Sequence, residues 1–187
     1  MQSLIEKYVF NHSDILINSL SELKIKVPQS LLLIKNSLRK NKKILVAGNG
    51  GSASDSIHFA AEMAGKFKSI KRKPFSCISL SENISTVTAI ANDFDFTKIF
   101  SRQILAYGNK GDVFIGISTS GKSSNILEAV KIARSLGLKV IILTGKKKFS
   151  LASKCDVCIN IQSLETSHIQ EMHIIILHLF CEFLEKF

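Results

Sequence analysis

The chain has 187 residues, 45% of them apolar, and a formal net charge of +10 at pH 7. This length suits one domain with a well-buried core and is too short for two domains of ordinary size. No run of about 18 apolar residues occurs, and the N-terminal stretch mixes charged with apolar positions, so the sequence predicts neither a membrane span nor a signal peptide. We therefore expect a cytoplasmic protein with no membrane partner.

The basic charge is concentrated in three lysine-rich stretches, at 35–43, 66–73 and 146–148. A basic surface can attract nucleic acid or small anionic substrates, but no recognisable nucleic-acid-binding module accompanies these stretches. The sequence therefore predicts a solvated basic face and no nucleic-acid partner. Without secretion signals, the four cysteines are expected to be reduced thiols rather than a disulfide framework.

The first 40 residues carry apolar side chains at helical spacing, and the pattern is interrupted near Pro28. Proline disrupts the interior of a helix but fits well in its first turn. We therefore predict two helices that form a hairpin over 1–40.

From residue 43 onward, short apolar runs alternate with longer stretches of helical periodicity. Such alternation predicts a doubly wound, flavodoxin-like α/β fold, in which a five-stranded parallel sheet is covered by helices on both faces. We place no domain boundary: 1–187 is one domain, with an α/β sandwich over 43–187. The predicted strands are KILVAG, FSCISL, DVFIGIS, KVIILTG and DVCINI, and the predicted helices lie near 54–67, 83–91, 97–107, 123–136 and 166–186.

The turn after the first predicted strand, AGNGGSASDS, is rich in glycine. In parallel sheets, ligands bind beyond the carboxyl ends of the strands, where Gly50 and Gly51 allow close approach and Ser52 adds a hydroxyl at a helix start. The turn also fits a dinucleotide-binding fingerprint, but the acidic residue expected about 20 positions later is missing. The turn therefore predicts a ligand site without indicating a nucleotide.

The stretch GISTSGKSSN, residues 116–125, fits the phosphate loop of nucleotide triphosphatases. Such enzymes need a partner strand ending in an acidic residue that holds Mg²⁺, and no predicted strand here supplies one. The stretch instead places four hydroxyls at the start of a helix, which indicates a site for a single phosphate. These hydroxyls belong to Ser118, Thr119, Ser120 and Ser123.

Two helices carry residues that could hold a metal ion. His58 and Glu62 are one turn apart on one helix face, where they could share an ion or form an exposed pair. The last helix adds Gln170, Glu171, His173 and His178 to an apolar stripe. His173 is left unassigned as a core histidine. Gln170 and His178 are separated by about 12 Å of helix rise, so one ion between them needs both side chains to reach inward, or residues from two chains.

Four segments together resemble the sugar isomerase (SIS) fold and, within it, the phosphoheptose isomerases: GNGGSASDSIHFAAEMAGKF, IANDFDFTKIFSRQ, GDVFIGISTSGKSSN and HIQEMHIIILHLF. The similarity covers nearly the whole chain. It implies an aldose–ketose isomerase that converts sedoheptulose 7-phosphate to D-glycero-D-manno-heptose 7-phosphate through an enediol, for bacterial surface heptose synthesis. It also implies a homotetramer with sites at subunit interfaces and one Zn²⁺ per subunit.

The resemblance assigns roles to residues that match the family's motifs. It implies zinc ligands at His58, Glu62, Gln170 and His178, with Glu62 as catalytic base and His178 as acid. It implies phosphate binding by the four hydroxyls of residues 118–123, with Gln170 as a further substrate contact. The residues it implies for the sugar are Asn49, Gly50, Gly51, Ser52, Asn92 and Asp93.

Two positions depart from the family pattern, because many relatives have Arg at His168 and some have Asp at Ser167. The departures concern sugar preference or subunit contacts rather than the reaction type. A different class of function also fits the fold: a non-catalytic phosphosugar sensor, or an adaptor that binds the replication initiator. An adaptor has no need of an acid and a base together, so the set at His58, Glu62, Gln170 and His178 favours the isomerase.

Overall fold

A computed structural model describes residues 1–146 and 149–186. Lys147 and Lys148 of the third lysine-rich stretch, and Phe187, lie outside these residues. The strands are β1 (Ile44–Gly48), β2 (Cys77–Ser79), β3 (Val113–Ser118), β4 (Lys139–Thr144) and β5 (Val157–Asn160). The helices are α1 (Gln2–Leu38), α2 (Gly51–Ala64), α3 (Ile84–Asp93), α4 (Ser101–Tyr107), α5 (Ser124–Ser135) and α6 (Thr166–Leu184). Short 3₁₀ helices cover Phe96–Lys98 and Ala152–Lys154.

The five strands form one parallel sheet in the order β2-β1-β3-β4-β5. This is the flavodoxin-like order, and the prediction of a doubly wound sheet is confirmed. The chain turns outward in opposite directions from β1 and β3, so their carboxyl ends flank the crevice where ligands bind in such folds. The glycine-rich turn follows β1 and the hydroxyl-rich turn follows β3, so both predicted ligand turns meet at this crevice.

Alternate side chains of each strand pack into two separate cores. Ile44 and Val46 of β1 face a core closed by α1, α2 and α6. Leu45 and Ala47, the residues between and after them, face a second core closed mainly by α4 and α5. This alternation follows from the two-residue period of a strand, and it places α2 and α6 side by side on one face of the sheet.

The predicted N-terminal hairpin is wrong, because α1 is a single helix of 37 residues that continues through Pro28. Proline removes one backbone hydrogen bond, to the carbonyl four residues earlier, at Lys24. Pro28 and Lys24 are both exposed, so water can satisfy that carbonyl. Burial of one stripe on both sides of the proline holds the helix together, and that stripe comprises Ser19, Leu23, Val27, Ser30, Leu31, Ile34 and Ser37.

Helix α1 lies along the outer edge of β5. The backbone N–H of Asn160 donates to Glu22 Oε1 at 2.9 Å, and the Asn160 side chain donates to the same oxygen at 3.2 Å. Just beyond the strand, the N–H of Gln162 donates to Ser19 Oγ at 3.4 Å. Side chains of α1 therefore accept hydrogen bonds from the backbone N–H groups at the end of β5 that face away from β4.

The N-terminal half of α1 exposes large apolar side chains. Phe10 is 67% exposed and Ile17 65%. Within residues 1–146 and 149–186, no helix combines the length and hydropathy needed to cross a bilayer. The exposed large apolar residues of this half are Leu4, Ile5, Tyr8, Val9, Phe10, Leu16, Ile17 and Leu20.

Candidate active site

The glycine-rich turn after β1 brings backbone close to α6. Gly50 has φ of 56°, a left-handed conformation that glycine adopts without strain. At Gly51, a Cβ atom would stand 2.6 Å from Gln170 Nε2, so any larger residue would displace the Gln170 amide from this position. The first turn of α2 and the Gln170 amide therefore lie in contact.

The hydroxyl-rich turn after β3 folds back on itself. Ser118 Oγ lies 2.9 Å from Ser123 Oγ at the start of α5, and the N–H of Gly121 donates to the Ser118 carbonyl at 3.0 Å. Ser120 Oγ accepts from the N–H of Lys122 at 3.2 Å. Ser123 makes no side-chain cap to α5, so hydroxyls and free N–H groups converge at a helix start. This is an arrangement that can bind one phosphate.

The same turn faces the start of α6. The N–H of Gly145, after β4, donates to the Thr119 carbonyl at 3.1 Å. Between these turns is a small cavity of about 100 Å³, whose lining includes Thr119, Ser120, Ser163, Thr166 and Ile169. A ligand at the hydroxyls would therefore lie beside the first turn of α6.

The two ligand turns are joined by a reciprocal pair of amides, Asn49 and Asn125. Asn49 Nδ2 donates to Asn125 Oδ1 at 3.0 Å, and Asn125 Nδ2 donates to Asn49 Oδ1 at 2.8 Å. Asn125 is only 1% exposed. Sequence analysis missed Asn125; a polar residue on the buried face in the first turn of α5 was the available signal.

A titratable cluster lies between α2 and α6. His58 Nε2 is 3.1 Å from Glu62 Oε1 and 3.4 Å from His178 Nε2. His178 Nε2 is 3.8 Å from Glu62 Oε2, so one carboxylate lies between two imidazoles. The side chains of His58, Glu62 and His178 are 50%, 21% and 40% exposed, so a substrate can reach the cluster. The three ligand atoms lie within 4.8 Å of one another and could hold a metal ion.

The surroundings of Glu62 are partly apolar. Its Oε2 atom is buried and has no hydrogen-bond partner among the described residues. Cys181 lies beside it, and burial together with the Glu62 carboxylate raises the pKa of the Cys181 thiol above its usual range. The Phe67 ring stacks on His178 with centroids 5.8 Å apart. An unpaired carboxylate oxygen in such a place can accept a proton or bind a cation.

Asp55 is a further carboxylate that sequence analysis missed. It lies one turn before His58 on α2, and burial raises its pKa while His58 and His178 lower it. Its Oδ2 atom is buried without a hydrogen bond in the described part of the chain. The shared helical face of Asp55, His58 and Glu62 was the available sequence signal. Its carboxylate is close enough to both imidazoles to interact with them electrostatically.

Arg72 ties the end of α2 to the end of α6. Its guanidinium donates to the carbonyls of Glu62 and, at 3.1 Å, of Met63. Its Nε lies 3.2 Å from Glu185 Oε2, and the Arg72 and Glu185 side chains are only 4% and 11% exposed. The backbone that carries Glu62 is thereby linked to the helix that carries His178. No sequence motif announces this link, because its partners are far apart in the chain.

Comparison with known proteins decides the family. The SIS domain model matches residues 7–145. The phosphoheptose isomerase of Helicobacter pylori strain P12 is 44% identical over 186 residues, which cover 100% of this chain and 96% of that protein. The solved phosphoheptose isomerase structure from Neisseria gonorrhoeae aligns with a TM-score of 0.93 at 36% identity, over 100% of this chain and 99% of that one. The one from Francisella tularensis gives 0.92 at 30% identity, over 100% and 99%.

The chain belongs to the phosphoheptose isomerase family, within the SIS domain proteins. These matches extend over the full chain, and they confirm the resemblance seen in the sequence motifs. They also confirm the fold and the prediction of an isomerase rather than an adaptor.

The predicted residues of this phosphoheptose isomerase family member are only partly brought together within one chain. His58, Glu62 and His178 meet, but Gln170 packs at Gly51. Gly51 and His58 are seven residues apart on α2, or about 10 Å of helix rise. Helices α2 and α6 thus carry two matching contacts, Gly51 with Gln170 in the first turns of both helices and His58 with His178 about two turns later.

Asn92 and Asp93 lie apart from both turns. They are exposed at the end of α3, where Asn92 Nδ2 donates to Asp93 Oδ1 at 2.8 Å. The cavity of about 170 Å³ that Asn49 and Gly50 line includes Val87 of α3 but neither of these two residues. Their contact with the sugar stays a prediction.

The remaining polar residues of α6 have different surroundings. His173 is fully buried in the core, as expected, and burial lowers its pKa to about 4. Neither of its ring nitrogens has a hydrogen bond to a described residue, so it is a neutral core histidine. His168, one of the two departures from the family pattern, is buried against α1, whereas Ser167 is exposed.

Proposed function

We propose that the chain catalyses the aldose–ketose isomerisation of sedoheptulose 7-phosphate to D-glycero-D-manno-heptose 7-phosphate, for bacterial surface heptose synthesis. The observation that carries this proposal is the Glu62 carboxylate between the His58 and His178 imidazoles. Isomerisation moves a proton between adjacent carbons and so needs both a base and an acid. The relatives named phosphoheptose isomerase supply the substrate class.

The phosphate group binds at the hydroxyl-rich turn in this proposal. Ser118, Thr119, Ser120 and Ser123 offer hydroxyls, and the start of α5 offers free N–H groups with the positive end of its dipole. Charge-assisted hydrogen bonds to an anion contribute about 1.5–3 kcal/mol each. Phosphate binding therefore fixes one end of the substrate and leaves its other end for proton transfer.

In this proposal, Glu62 removes the carbon-bound proton, and His178 transfers protons to and from the substrate oxygens. In the forward direction, the base removes a proton from C1 of the ketose while the C2 carbonyl oxygen gains a proton, which gives the enediol. The O1 proton then leaves as the C1 carbonyl forms, and the proton held by the base returns to C2. Glu62 has an unpaired buried oxygen for this, and the adjacent imidazole can serve both oxygens.

The cluster also fits the predicted zinc ion. Two imidazole nitrogens and a carboxylate oxygen are ligands that zinc prefers, and the unpaired Glu62 Oε2 is an atom that a cation would satisfy. We propose that His58, Glu62 and His178 hold one Zn²⁺ per subunit, with Gln170 as the fourth ligand of the predicted set. When bound, such an ion supplies Lewis-acid stabilisation of the enediolate oxygens.

The separated residues are explained by assembly. In the proposed homotetramer, a neighbouring subunit brings Asn92 and Asp93, or Gln170, to a cluster that one chain leaves incomplete. The exposed apolar side chains on the N-terminal half of α1 give a surface that a second copy can cover. Within the same chain, Gln170 is placed for its other predicted role, contact with the substrate beside Gly51.

Assembly is tested by light scattering of the wild type and of Ile17→Glu, which places a charge among the exposed apolar residues. We expect a tetramer for the wild type and a smaller species for the variant. Lys24→Glu, an exposed substitution on the same helix, is the matched control and should keep the tetramer. A wild type that is only monomeric would contradict the proposal.

Activity is tested by incubating metal-replete protein with sedoheptulose 7-phosphate and detecting heptose 7-phosphate by NMR or mass spectrometry. We expect product, and in deuterium oxide we expect deuterium at the proton-transfer carbon when the base exchanges with solvent during the life of the enediol. Absence of product from the wild type would favour a phosphosugar sensor or adaptor instead.

A further inference from the structure

We propose that the chain holds a second divalent metal ion, at His12, His168 and Glu171, where the N-terminal half of α1 crosses the start of α6. The ligand atoms of these three residues lie within 4.8 Å of one another. His12 Nδ1 is 2.8 Å from Glu171 Oε2, and His168 Nδ1 is 3.0 Å from the same oxygen. This cluster shares no residue with His58, Glu62 and His178.

Hydrogen bonding satisfies only part of this cluster, because His168 Nδ1 and Glu171 Oε2 are hydrogen-bonded at 3.0 Å whereas His12 is not included. His12 Nδ1 is buried and has no hydrogen-bond partner among the described residues, although a carboxylate oxygen is only 2.8 Å away. Folding removes the hydrogen bond that this nitrogen would make to water, and the 2.8 Å contact does not have the geometry to replace it. A cation shared by the nitrogen and the carboxylate would satisfy both.

The distances suit an ion of the size of zinc. Bonds of about 2.0–2.1 Å in a tetrahedral site place ligand atoms about 3.3 Å apart. The observed separations of 2.8 and 3.0 Å therefore need to open by only a few tenths of an ångström. His168 and Glu171 are three residues apart on α6, a spacing that presents both ligands on one helix face.

Tyr8 supports the carboxylate from its far side. Its hydroxyl donates to Glu171 Oε1 at 2.7 Å, which leaves Oε2 directed at the two imidazoles. The Tyr8 ring also packs on His168, with centroids 4.3 Å apart. Contacts of this kind, made by residues behind the metal ligands, hold the ligands in position in metal sites. A ligand set with two imidazoles selects zinc or a related transition metal over Mg²⁺ or Ca²⁺.

The three side chains of the cluster, which come from α1 and α6, differ in solvent exposure. The His168 side chain is 5% exposed, whereas those of His12 and Glu171 are 25% and 40% exposed. The exposed side leaves room for water as a fourth ligand, as in sites where the protein supplies only three. An ion here would link the N-terminal half of α1 to α6 at Glu171, the residue that follows Gln170.

Metal content of the purified protein tests this proposal. Protein is stripped with a chelator, re-equilibrated with excess Zn²⁺, freed of unbound metal by gel filtration and analysed by elemental mass spectrometry. We expect His12→Gln/His168→Gln to contain one zinc per chain fewer than the wild type. The matched control, His58→Gln/His178→Gln, should keep this zinc whatever the metal content of the other site.

Equal zinc content in the wild type and in His12→Gln/His168→Gln would overturn the proposal. Circular dichroism verifies that each variant is folded. Should the double variant not fold, Glu171→Gln replaces it, because glutamine retains an oxygen that can accept from Tyr8 but lacks the charge. Loss of one zinc in that variant supports the second site, and an unchanged content overturns it.

Discussion

The two ends of the candidate active site are built differently. The phosphate end is a turn of neutral hydroxyls and backbone N–H groups after β3, whereas the acid–base end consists of titratable side chains on two long helices. Hydroxyls can bind an anion but are too weakly acidic and basic to act as general acid or base at neutral pH, whereas imidazole and carboxylate groups can. Substitutions at one end should therefore change KM, and substitutions at the other should change turnover.

The largest expected effect is on turnover, from Glu62→Gln. Glutamine keeps the shape and one oxygen but cannot take a proton, so we expect turnover to fall by about 10² to 10⁴ with little change in phosphosugar binding. His178→Gln should be similarly damaging. Steady-state kinetics of heptose 7-phosphate formation measure both.

Glu182→Gln is the matched control for this prediction. Glu182 is a half-exposed carboxylate on α6, one turn after His178, that pairs with Lys68 rather than with the cluster, and its loss should leave turnover unchanged. Equal rates for the wild type and Glu62→Gln would retain the isomerase but remove Glu62 as its base.

The next largest effect is on stability, from Arg72→Ala, because Arg72 links the two helices that carry the acid–base residues. This change leaves the largely buried Glu185 carboxylate without the Arg72 guanidinium and the Glu62 carbonyl without its guanidinium donor, whereas the Met63 carbonyl keeps the Phe75 N–H. Removing one partner of a buried pair costs about 3–5 kcal/mol, so we expect a loss of that order in the free energy of unfolding. Urea denaturation measures it.

Arg134→Ala provides the comparison, because Arg134 pairs with Asp156 at 2.7 Å but is 42% exposed. Exposed pairs contribute about 0.2–1 kcal/mol. If the two variants lost equal stability, the link between the ends of α2 and α6 would have no special role in holding the site.

A smaller effect is expected at the phosphate end, from Ser120→Ala and Ser123→Ala. Each change removes a charge-assisted hydrogen bond of about 1.5–3 kcal/mol, so KM for the phosphosugar should rise by about 10- to 150-fold with turnover less affected. Ser135→Ala, at the other end of α5, is the control and should leave KM as it is. An unchanged KM in both loop variants would show that the turn binds something else.

The smallest effect concerns the connection between the two ligand turns, from Asn125→Ala. This variant loses both amide hydrogen bonds to Asn49, and we expect a loss of about 1–2 kcal/mol in the free energy of unfolding. Asn109→Ala, at an exposed asparagine, should lose less than half of that. Thermal or urea unfolding that does not distinguish these variants would mean that the amide pair contributes no stability.

Local patterns in the sequence were enough to predict the five strands and the position of the two candidate ligand turns at the ends of β1 and β3. Buried parallel strands are continuous apolar runs, and the turns that follow β1 and β3 are punctuated by glycine and serine. Proline misled the prediction at residue 28, because its local cost is outweighed by a buried stripe that only the packed sheet creates. The spacing of His58 and Glu62 was similarly local and readable.

Partners far apart in the chain were not readable. Arg72 meets Glu185 and Asn125 meets Asn49 across long separations, and neither pair has a characteristic spacing. The same limit applies to Gln170, whose side chain faces Gly51 because α2 and α6 run side by side from the same edge of the sheet. The helical repeat gives the distance between two residues along α6, but it does not tell which residue of another helix each of them contacts.

The position of α1 along β5 has a consequence for aggregation. An exposed outer strand offers unpaired N–H and C=O groups on which another chain can add a strand. Here the outward N–H of Asn160 is already taken by Glu22, and that of Gln162 by Ser19. The opposite outer strand, β2, is only 3 residues long. Growth of the sheet at the β5 edge would first have to displace α1, and the short β2 offers little backbone for pairing, so contacts between copies are directed to helical surfaces.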